Sequence, residues 1–85
     1  MANKSLDDYI EAAKYGNVEA MLRIGNICSK GIGVSVNYEI AAHYYKMAAD
    51  SGNADGMLCL GILYENGNGV PQSYEKAAKW YQKID

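Results

Sequence analysis

One stretch of the chain occurs twice, 36 positions apart. Residues 60–70 (LGILYENGNGV) repeat the pattern of residues 24–34 (IGNICSKGIGV). Aligning residues 16–49 with residues 52–85, an offset of 61 − 25 = 36, gives 13 identities in 34 pairs without a gap. The identities include glycines, alanines and tyrosines in phase, which chance does not produce. Self-similarity at such a period is typical of solenoid folds, in which each repeat packs on the next.

Each period predicts two amphipathic helices. Tyr38, Ala41, Ala42 and Tyr45 are spaced i, i+3, i+4 and i+7, and residues 57, 60, 61 and 64 have the same spacing. Residues 5–15 match only the second helix of the period. Five helices are therefore predicted, at about 6–15, 18–30, 38–51, 54–66 and 73–84. Asn37 and Asn53 are expected to cap helix starts, and Gly52 and Gly67 to end helices.

Short connections between these helices predict antiparallel neighbours. Because a helix pair cannot bury its apolar stripe alone, successive pairs should stack. The predicted fold is an all-α, right-handed α-solenoid of antiparallel helix pairs in a single domain, 1–85. Residues 1–15 would form a half repeat or capping helix, 16–51 the first repeat, and 52–85 a truncated second repeat.

Several small residues and tyrosines carry packing predictions. Gly25 and Gly61 lie inside helices, where glycine costs about 1 kcal/mol relative to alanine. We expect a neighbouring backbone to approach there, at the alanine pairs 41–42 and 77–78. Gly56 replaces the alanine found at position 20, so the fourth helix should start loosely. The tyrosines expected between helices are Tyr9, Tyr38, Tyr45, Tyr74 and Tyr81, and those expected to be exposed are Tyr15, Tyr44 and Tyr64.

Charge and hydropathy exclude several classes of partner. The net charge of −2 and the pI near 5.2 disfavour nucleic acid, which needs a concentrated basic face. No apolar run approaches the roughly 20 residues of a membrane span. The first eight residues contain two acids and no apolar stretch, unlike a signal peptide. We therefore expect a cytoplasmic protein without a membrane partner.

The repeat resembles the Sel-one-like repeat family, which is related to tetratricopeptide repeats. The second copy has Leu60-Gly61, Tyr64, Gly67-x-Gly69-Val70-Pro71, Ala77 and Trp80-Tyr81, and the first copy has Ala20, Ile24-Gly25, Gly31-x-Gly33-Val34, Ala41, Tyr44-Tyr45 and Ala48-Ala49. The resemblance covers roughly residues 7–85. Departures from the pattern are Cys28 in place of tyrosine, Asn37 and Ser73 in place of an acid, and Gly56 in place of alanine.

The resemblance implies a protein-binding function for the concave side of the solenoid. In tetratricopeptide relatives, ligands lie along the first helix of each pair. The corresponding positions are Glu19, Leu22, Arg23, Asn26, Ser29 and Lys30 in one repeat, and Asp55, Leu58, Cys59, Ile62, Glu65 and Asn66 in the next. Arg23, Asn26 and Lys30 share a helical face and could hold a partner's carboxylate. Leu22, Leu58 and Ile62 would supply an apolar centre, unless the two leucines belong to the core.

Catalysis and metal binding have little support in the sequence. The one histidine, His43, is expected to face solvent in a different layer from Cys28 and Cys59, so no Cys–His nucleophile is predicted. Both cysteines are expected to be reduced, with Cys28 buried and Cys59 on the concave side or half-buried. One histidine and two separated cysteines do not give a metal-ligand spacing, and we expect no cofactor. The Gly-x-Gly loops follow helices, so they predict helix ends rather than phosphate sites.

The last helix predicts a second interface. Trp80, Tyr81 and Ile84 lie on a face that a further helix would ordinarily cover. Solenoids usually end in polar caps, so this edge should self-associate or bind a partner. The leading functional prediction is a non-catalytic interaction module, with an immunity protein against a cognate toxin as one version. The alternatives are a fragment or subunit of a larger adaptor in protein quality control or signalling, and third, a hydrolase-like activity.

Overall fold

The five predicted helices are present in the computed structural model, which describes residues 4–84. They are α1 (Leu6–Lys14), α2 (Val18–Lys30), α3 (Tyr38–Asp50), α4 (Ala54–Asn66) and α5 (Tyr74–Gln82). Between residues 4 and 84 there is no strand. The predicted ends of α1 and α3 were one residue too long, and α5 is shorter than predicted at both ends. Residues 1–3 and 85, which belong to the predicted half repeat and second repeat, lie outside the described residues.

A side-chain cap starts every helix. Ser5, Asn17, Asn37, Asn53 and Ser73 each accept a hydrogen bond from the backbone N–H three residues later. Left-handed glycines end α2 and α4, as Gly31 has φ 70° and Gly67 has φ 68°. The predicted caps at positions 37, 53 and 67 are confirmed.

The helices form two layers of an α-solenoid. Each helix packs against its neighbours in sequence, α1 on α2, α2 on α3, α3 on α4 and α4 on α5. We call α2 and α4 the first layer, and α1, α3 and α5 the second layer. The core between them contains the fully buried Ile24 and Leu60 together with small side chains such as Ala41 and Ala48. Alanines let the layers approach closely, so the molecule is a slab of 43 × 26 × 17 Å.

Aromatic rings, rather than a neighbouring backbone, lie against the two mid-helix glycines. A Cβ atom added to Gly25 would overlap the ring of Tyr45, and one added to Gly61 would overlap the ring of Tyr81. The prediction of a backbone contact at the alanine pairs was therefore wrong. The physical reason is that a flat phenol ring needs the space of an absent Cβ to lie on a helix.

The close approach of two backbones occurs instead at Gly56. A Cβ there would lie 2.8 Å from both the Ala48 Cβ and the Ala49 backbone nitrogen. Gly56 is buried, and its N–H donates a 2.8 Å hydrogen bond to the Asn53 side chain. The start of α4 is thus capped and tightly packed, and the prediction of a loose start was wrong. Glycine brings α4 closer to α3 than alanine would.

Candidate functional site

A groove of about 350 Å³ runs between α2 and α4 on the first layer. We call it the first-layer groove. Its walls and floor are Asn26, Ser29, Lys30, Tyr38, Tyr45, Cys59, Ile62, Leu63 and Asn68. Five of these belong to the positions that the family resemblance implied, namely Asn26, Ser29, Lys30, Cys59 and Ile62. The structure therefore brings predicted binding positions of α2 and of α4 together around one groove. Partner binding by these residues stays a prediction.

The Tyr45 hydroxyl organises the polar wall of this groove. It donates a 2.6 Å hydrogen bond to Asn26 Oδ1 and lies 3.2 Å from Ser29 Oγ. Burial raises the pKa of Tyr45 to about 12, because the charged phenolate would lose its hydration. Asn26 was predicted to hold a partner's carboxylate, for which its amide NH2 is the donor. The hydrogen bond from Tyr45 engages the amide oxygen and leaves the NH2 to donate to a partner.

The charged side chains of the first layer differ in the ion pairs and hydrogen bonds that they form within the chain. Arg23 lies 3.7 Å from Glu19 in an exposed i, i+4 ion pair, which contributes little stability and leaves both groups accessible. Lys30 is exposed at the groove, whereas Asp55 is exposed at the start of α4. Glu65 accepts a 2.7 Å hydrogen bond from the Tyr81 hydroxyl. Lys30 is thus the cation of this set that lies on the groove itself.

The apolar part of the first layer comes from α4. Leu58 is 46% exposed and Ile62 is 44% exposed. Leu22 on α2 is half-buried and packs against the core. Of the three residues predicted as an apolar centre, Leu22 thus contributes mainly to the core, and Leu58 and Ile62 present apolar surface to solvent.

A second groove, of about 380 Å³, lies on the opposite layer between α1 and α3, and it was not predicted from the sequence. We call it the second-layer groove. Its lining is mostly apolar and consists of Leu6, Ile10, Ile24, Cys28, Glu39, Ile40, His43 and Tyr44. The sequence did contain a sign of it, because Cys28 stands where the second repeat has Tyr64. A short side chain at that position removes a ring from the space between two second-layer helices.

Cys28 on α2 and His43 on α3 belong to different layers, as predicted, yet both line this groove, which was not predicted. The cause is that α2 forms the floor between α1 and α3. His43 is exposed, as predicted, and Cys28 is only 4% exposed, also as predicted. Burial raises the pKa of the Cys28 thiol, which opposes formation of the nucleophilic thiolate. Cys59 is half-buried, as predicted, and burial raises its pKa as well.

Among residues 4–84 no cluster of three or more histidine, cysteine or acidic side chains could hold a metal ion. No helix in that part of the chain has the length and apolar character required to cross a membrane.

The Gly-x-Gly loops end helices, as predicted. In addition, a Cβ on Gly69 would overlap the Tyr38 carbonyl, so the loop after α4 lies directly on the start of α3.

The residues predicted for the terminal edge are partly covered. Trp80 is half-buried, and the Lys83 ammonium lies 4.5 Å from its ring centroid. Tyr81 lies on Gly61 and so belongs to the packing between α4 and α5, while Ile84 is half-buried. The uncovered edge shows most clearly at Ala78, which is exposed although its equivalent Ala42 is 6% exposed. Association through this edge stays a prediction.

The tyrosine predictions were correct for some positions and wrong for others. Tyr15 is 81% exposed and Tyr45 is 3% exposed, as predicted. Tyr74 was expected between helices but is 73% exposed, and Tyr38 is 37% exposed. Each is the first residue of its helix, so no preceding helical turn covers its side chain. Tyr44 and Tyr64, which were expected to be exposed, are half-buried against the core, and so is Tyr9.

Comparison with known proteins agrees with this architecture. Sel1 repeats match residues 18–53 and 54–84. A Sel1 repeat protein from Oxalobacter formigenes superposes with a TM-score of 0.87 at 33% identity over 92% of this chain. The protein c5321, a protective antigen of uropathogenic Escherichia coli with an SLR fold, gives 0.87 at 32% identity over 95%. Cysteine-rich protein B of Helicobacter pylori gives 0.86 at 26% identity over 92%.

The chain corresponds to only part of each of these structures. It spans 60% of the Oxalobacter chain, 17% of c5321 and 59% of the Helicobacter protein. At the sequence level no curated protein matches it. The tandem match to the repeat covers most of the chain and coincides with the observed helix pairs, so the chain belongs to the Sel1 repeat family.

Proposed function

We propose that this chain is a non-catalytic interaction module that binds a peptide segment of a protein partner in the first-layer groove. Sel1 repeat proteins generally mediate protein–protein interaction. Which surface this chain uses, and for which partner, is the content of the proposal.

The observation that carries the proposal is the composition of that groove. It has an apolar wall at Ile62, which is 44% exposed, and a polar wall at Asn26 and Lys30. The Tyr45 hydroxyl fixes Asn26, so the polar wall is ordered before a partner arrives. An apolar centre beside a polar rim is the usual anatomy of a protein interface. The exposed Lys30 favours a segment that contains an acidic residue.

The test uses two exposed isoleucines, one on the first-layer groove and one that lines neither groove. Ile62 lies on the first-layer groove and is 44% exposed, whereas Ile32 lies in the loop after α2 and is 58% exposed. Peptides selected from a random library against the chain would be titrated against Ile62→Lys and Ile32→Lys. We expect a loss of tenfold or more with Ile62→Lys, because a charge replaces a buried contact, and little change with Ile32→Lys. Selected peptides that bind Ile62→Lys as tightly as the unaltered chain would contradict the proposal.

The non-catalytic part of the proposal is supported by the state of the cysteines. The thiol of Cys28 is buried and has a raised pKa. Among the described residues, no hydrogen bond joins it to His43. An activated nucleophile needs such a base and a depressed pKa. Labelling of Cys28 by an acyl probe that depends on His43 would overturn this part.

Two finer roles follow from the same surface, and both assume a cytoplasmic location. In an immunity role the groove would bind a toxin tightly and block it, and in an adaptor role it would bind client segments of a larger assembly. Co-expression with a toxin encoded beside the gene tests the first role, because rescue of growth should be lost with Ile62→Lys.

The predicted association through Trp80 and Ile84 would be tested by the mass in solution.

A further inference from the structure

The second-layer groove marks a difference between the two repeats. With the offset of 36, Cys28 corresponds to Tyr64, and the floor residue Ile24 corresponds to Leu60. The groove walls Ile10 and Ile40 correspond to Lys46 and Lys76. The backbone arrangement is shared, so the side chain at position 28 or 64 decides what occupies the space between successive second-layer helices.

In the second repeat a phenol ring occupies that space. The Lys76 ammonium of α5 lies 5.7 Å from the centroid of the Tyr64 ring, a cation–π contact. On the α3 side, the ammonium of Lys46 has a raised pKa, chiefly through its hydrogen bond to Asp50 and with a smaller contribution from Tyr64. The equivalent of Ile40 thus lies over the ring of Tyr64. The Tyr64 hydroxyl has no hydrogen-bond partner within the described residues. Because no buried polar side-chain atom of those residues lacks a partner, this hydroxyl lies at the solvent-exposed end of the half-buried ring.

In the first repeat the same space is open. Cys28 has no ring, and the surrounding side chains Leu6, Ile10, Ile24 and Ile40 are aliphatic. Ile40 is 43% exposed, which is an unfavourable arrangement for an isoleucine in water. An aromatic ring placed against Ile24 and Cys28 would cover these groups, and a sulfur atom beside a ring is itself a favourable contact.

We propose that the second-layer groove binds the side chain of a phenylalanine in a protein partner, adjacent to a basic residue. The ring of a partner's side chain enters the groove with its para position towards the apolar floor. Tyr64 has the opposite orientation, because its own Cβ starts at the floor. A tyrosine would then bury its hydroxyl against Ile24 and Cys28 without a partner, and that loss is costly. Phenylalanine has no such polar tip. This site is distinct from the first-layer groove and does not depend on what that groove binds.

Charge around the groove specifies the neighbouring residue. The lining of the groove contains one acidic side chain, Glu39, together with His43, Cys28 and Tyr44. The second repeat has the same acid as Glu75, but it also has lysines at the positions of Ile40 and His43. One of these, Lys79, lies 3.7 Å from Glu75. The lining of the second-layer groove contains Glu39 and no lysine or arginine, which favours an arginine or lysine beside the phenylalanine.

The test uses blocked dipeptide amides and the methyl NMR signals of Ile10, Ile24 and Ile40. N-acetyl-Phe-Arg-amide should shift these signals with a Kd in the millimolar range, as expected of a ligand with one buried ring. N-acetyl-Tyr-Arg-amide should bind about tenfold more weakly. N-acetyl-Phe-Glu-amide should bind about threefold more weakly, and Glu39→Lys should reverse this preference.

Three variants locate the binding. Cys28→Tyr places in the groove the ring that the second repeat already has, and should abolish the shifts. Ile40→Lys keeps Cys28, copies the residue found at position 76, and should weaken binding at least threefold. Ile62→Lys should leave binding unchanged. No shift with the Phe-Arg probe, equal binding of the Tyr-Arg probe, or undiminished binding by Cys28→Tyr would each overturn the proposal, and none of these results bears on the first-layer groove.

Discussion

The two repeats place the same tyrosine in different surroundings. Tyr45 lies on Gly25 and is 3% exposed, because α4 of the next repeat covers it. Tyr81 lies on Gly61 in the same way but is only half-buried, since α5 is the last helix described. The hydroxyl of Tyr45 meets Asn26 and Ser29, and that of Tyr81 meets the exposed Glu65. In a solenoid, the energetic weight of a repeated residue therefore depends on whether another repeat follows it.

The largest expected contrast is at the glycines beneath these rings. Gly25→Ala should destabilise the chain by about 2 kcal/mol, because the new Cβ overlaps a ring that cannot move, and overpacking outweighs the gain in helix propensity. Gly61→Ala should be within about 0.5 kcal/mol of neutral, since the ring of Tyr81 can shift towards the uncovered side. Urea unfolding of both variants measures the difference. Equal losses would show that α4 does not confine Tyr45.

Removing the hydroxyls should give the next contrast. Tyr45→Phe should cost about 1.5 kcal/mol, because Asn26 Oδ1 loses a 2.6 Å hydrogen bond in a half-buried site. Tyr81→Phe should cost less than about 0.5 kcal/mol, since water can hydrate the exposed Glu65. Thermal and urea unfolding would check both values. The comparison fails if Tyr81→Phe is the more damaging change.

Hydrophobic periodicity in the sequence was enough to predict the five helices and their stacking order, and residue type predicted the caps at positions 37, 53 and 67. It was not enough to predict contacts that depend on three-dimensional closeness. Gly25 and Gly56 are both glycines within helices, yet one faces a ring and the other a backbone. The position of Asn26 on the first layer was implied by the family resemblance, but its bond to Tyr45 joins residues 19 positions apart. The second-layer groove was not predicted, although Cys28 stands in place of a tyrosine, because the sequence pattern does not give the distance between α1 and α3 across that position.

Alkaline pH should also distinguish the two tyrosines. The pKa of Tyr45 is raised to about 12 by burial, against 10.0 for an ordinary tyrosine, so the unfolded chain releases this proton first. The associated stability is present below pH 10 and is lost as the pH rises towards 12, on the order of 1 kcal/mol by about pH 11. Burial and Glu65 raise the pKa of Tyr81 to about 12 as well, but its exposure reduces the effect on stability. Unfolding at pH 9 and pH 11 checks the loss.

Tyr45→Phe is the control for this experiment. It should reduce the difference between the two pH values by about 1 kcal/mol, whereas Tyr81→Phe should leave most of it in place. The thiols of Cys28 and Cys59, whose pKa values are also raised by burial, account for the remainder. An undiminished pH dependence in Tyr45→Phe would assign the titration to another group.

The smallest expected effect comes from exchanging the residues that distinguish the second-layer surfaces of the two repeats. Cys28→Tyr should stabilise the chain by about 0.5 to 1 kcal/mol, because the added ring covers Ile10 and Ile40 in a space that needs no backbone movement. Tyr64→Cys should destabilise it by about 1 kcal/mol, since the ring is half-buried and its contact with Lys76 is lost. Urea unfolding of the single variants and of the double exchange measures both changes.

The double variant Cys28→Tyr/Tyr64→Cys tests whether the spaces at positions 28 and 64 are equivalent and independent. Residues 28 and 64 belong to different repeats with separate surroundings, so their effects should add within about 0.5 kcal/mol. If Cys28→Tyr instead destabilises the chain, then α1 and α3 are closer together than α3 and α5, and the two spaces are not equivalent. In that case the groove in the first repeat would be a consequence of helix spacing rather than of the missing ring, and a partner's phenylalanine would have no reason to fit there.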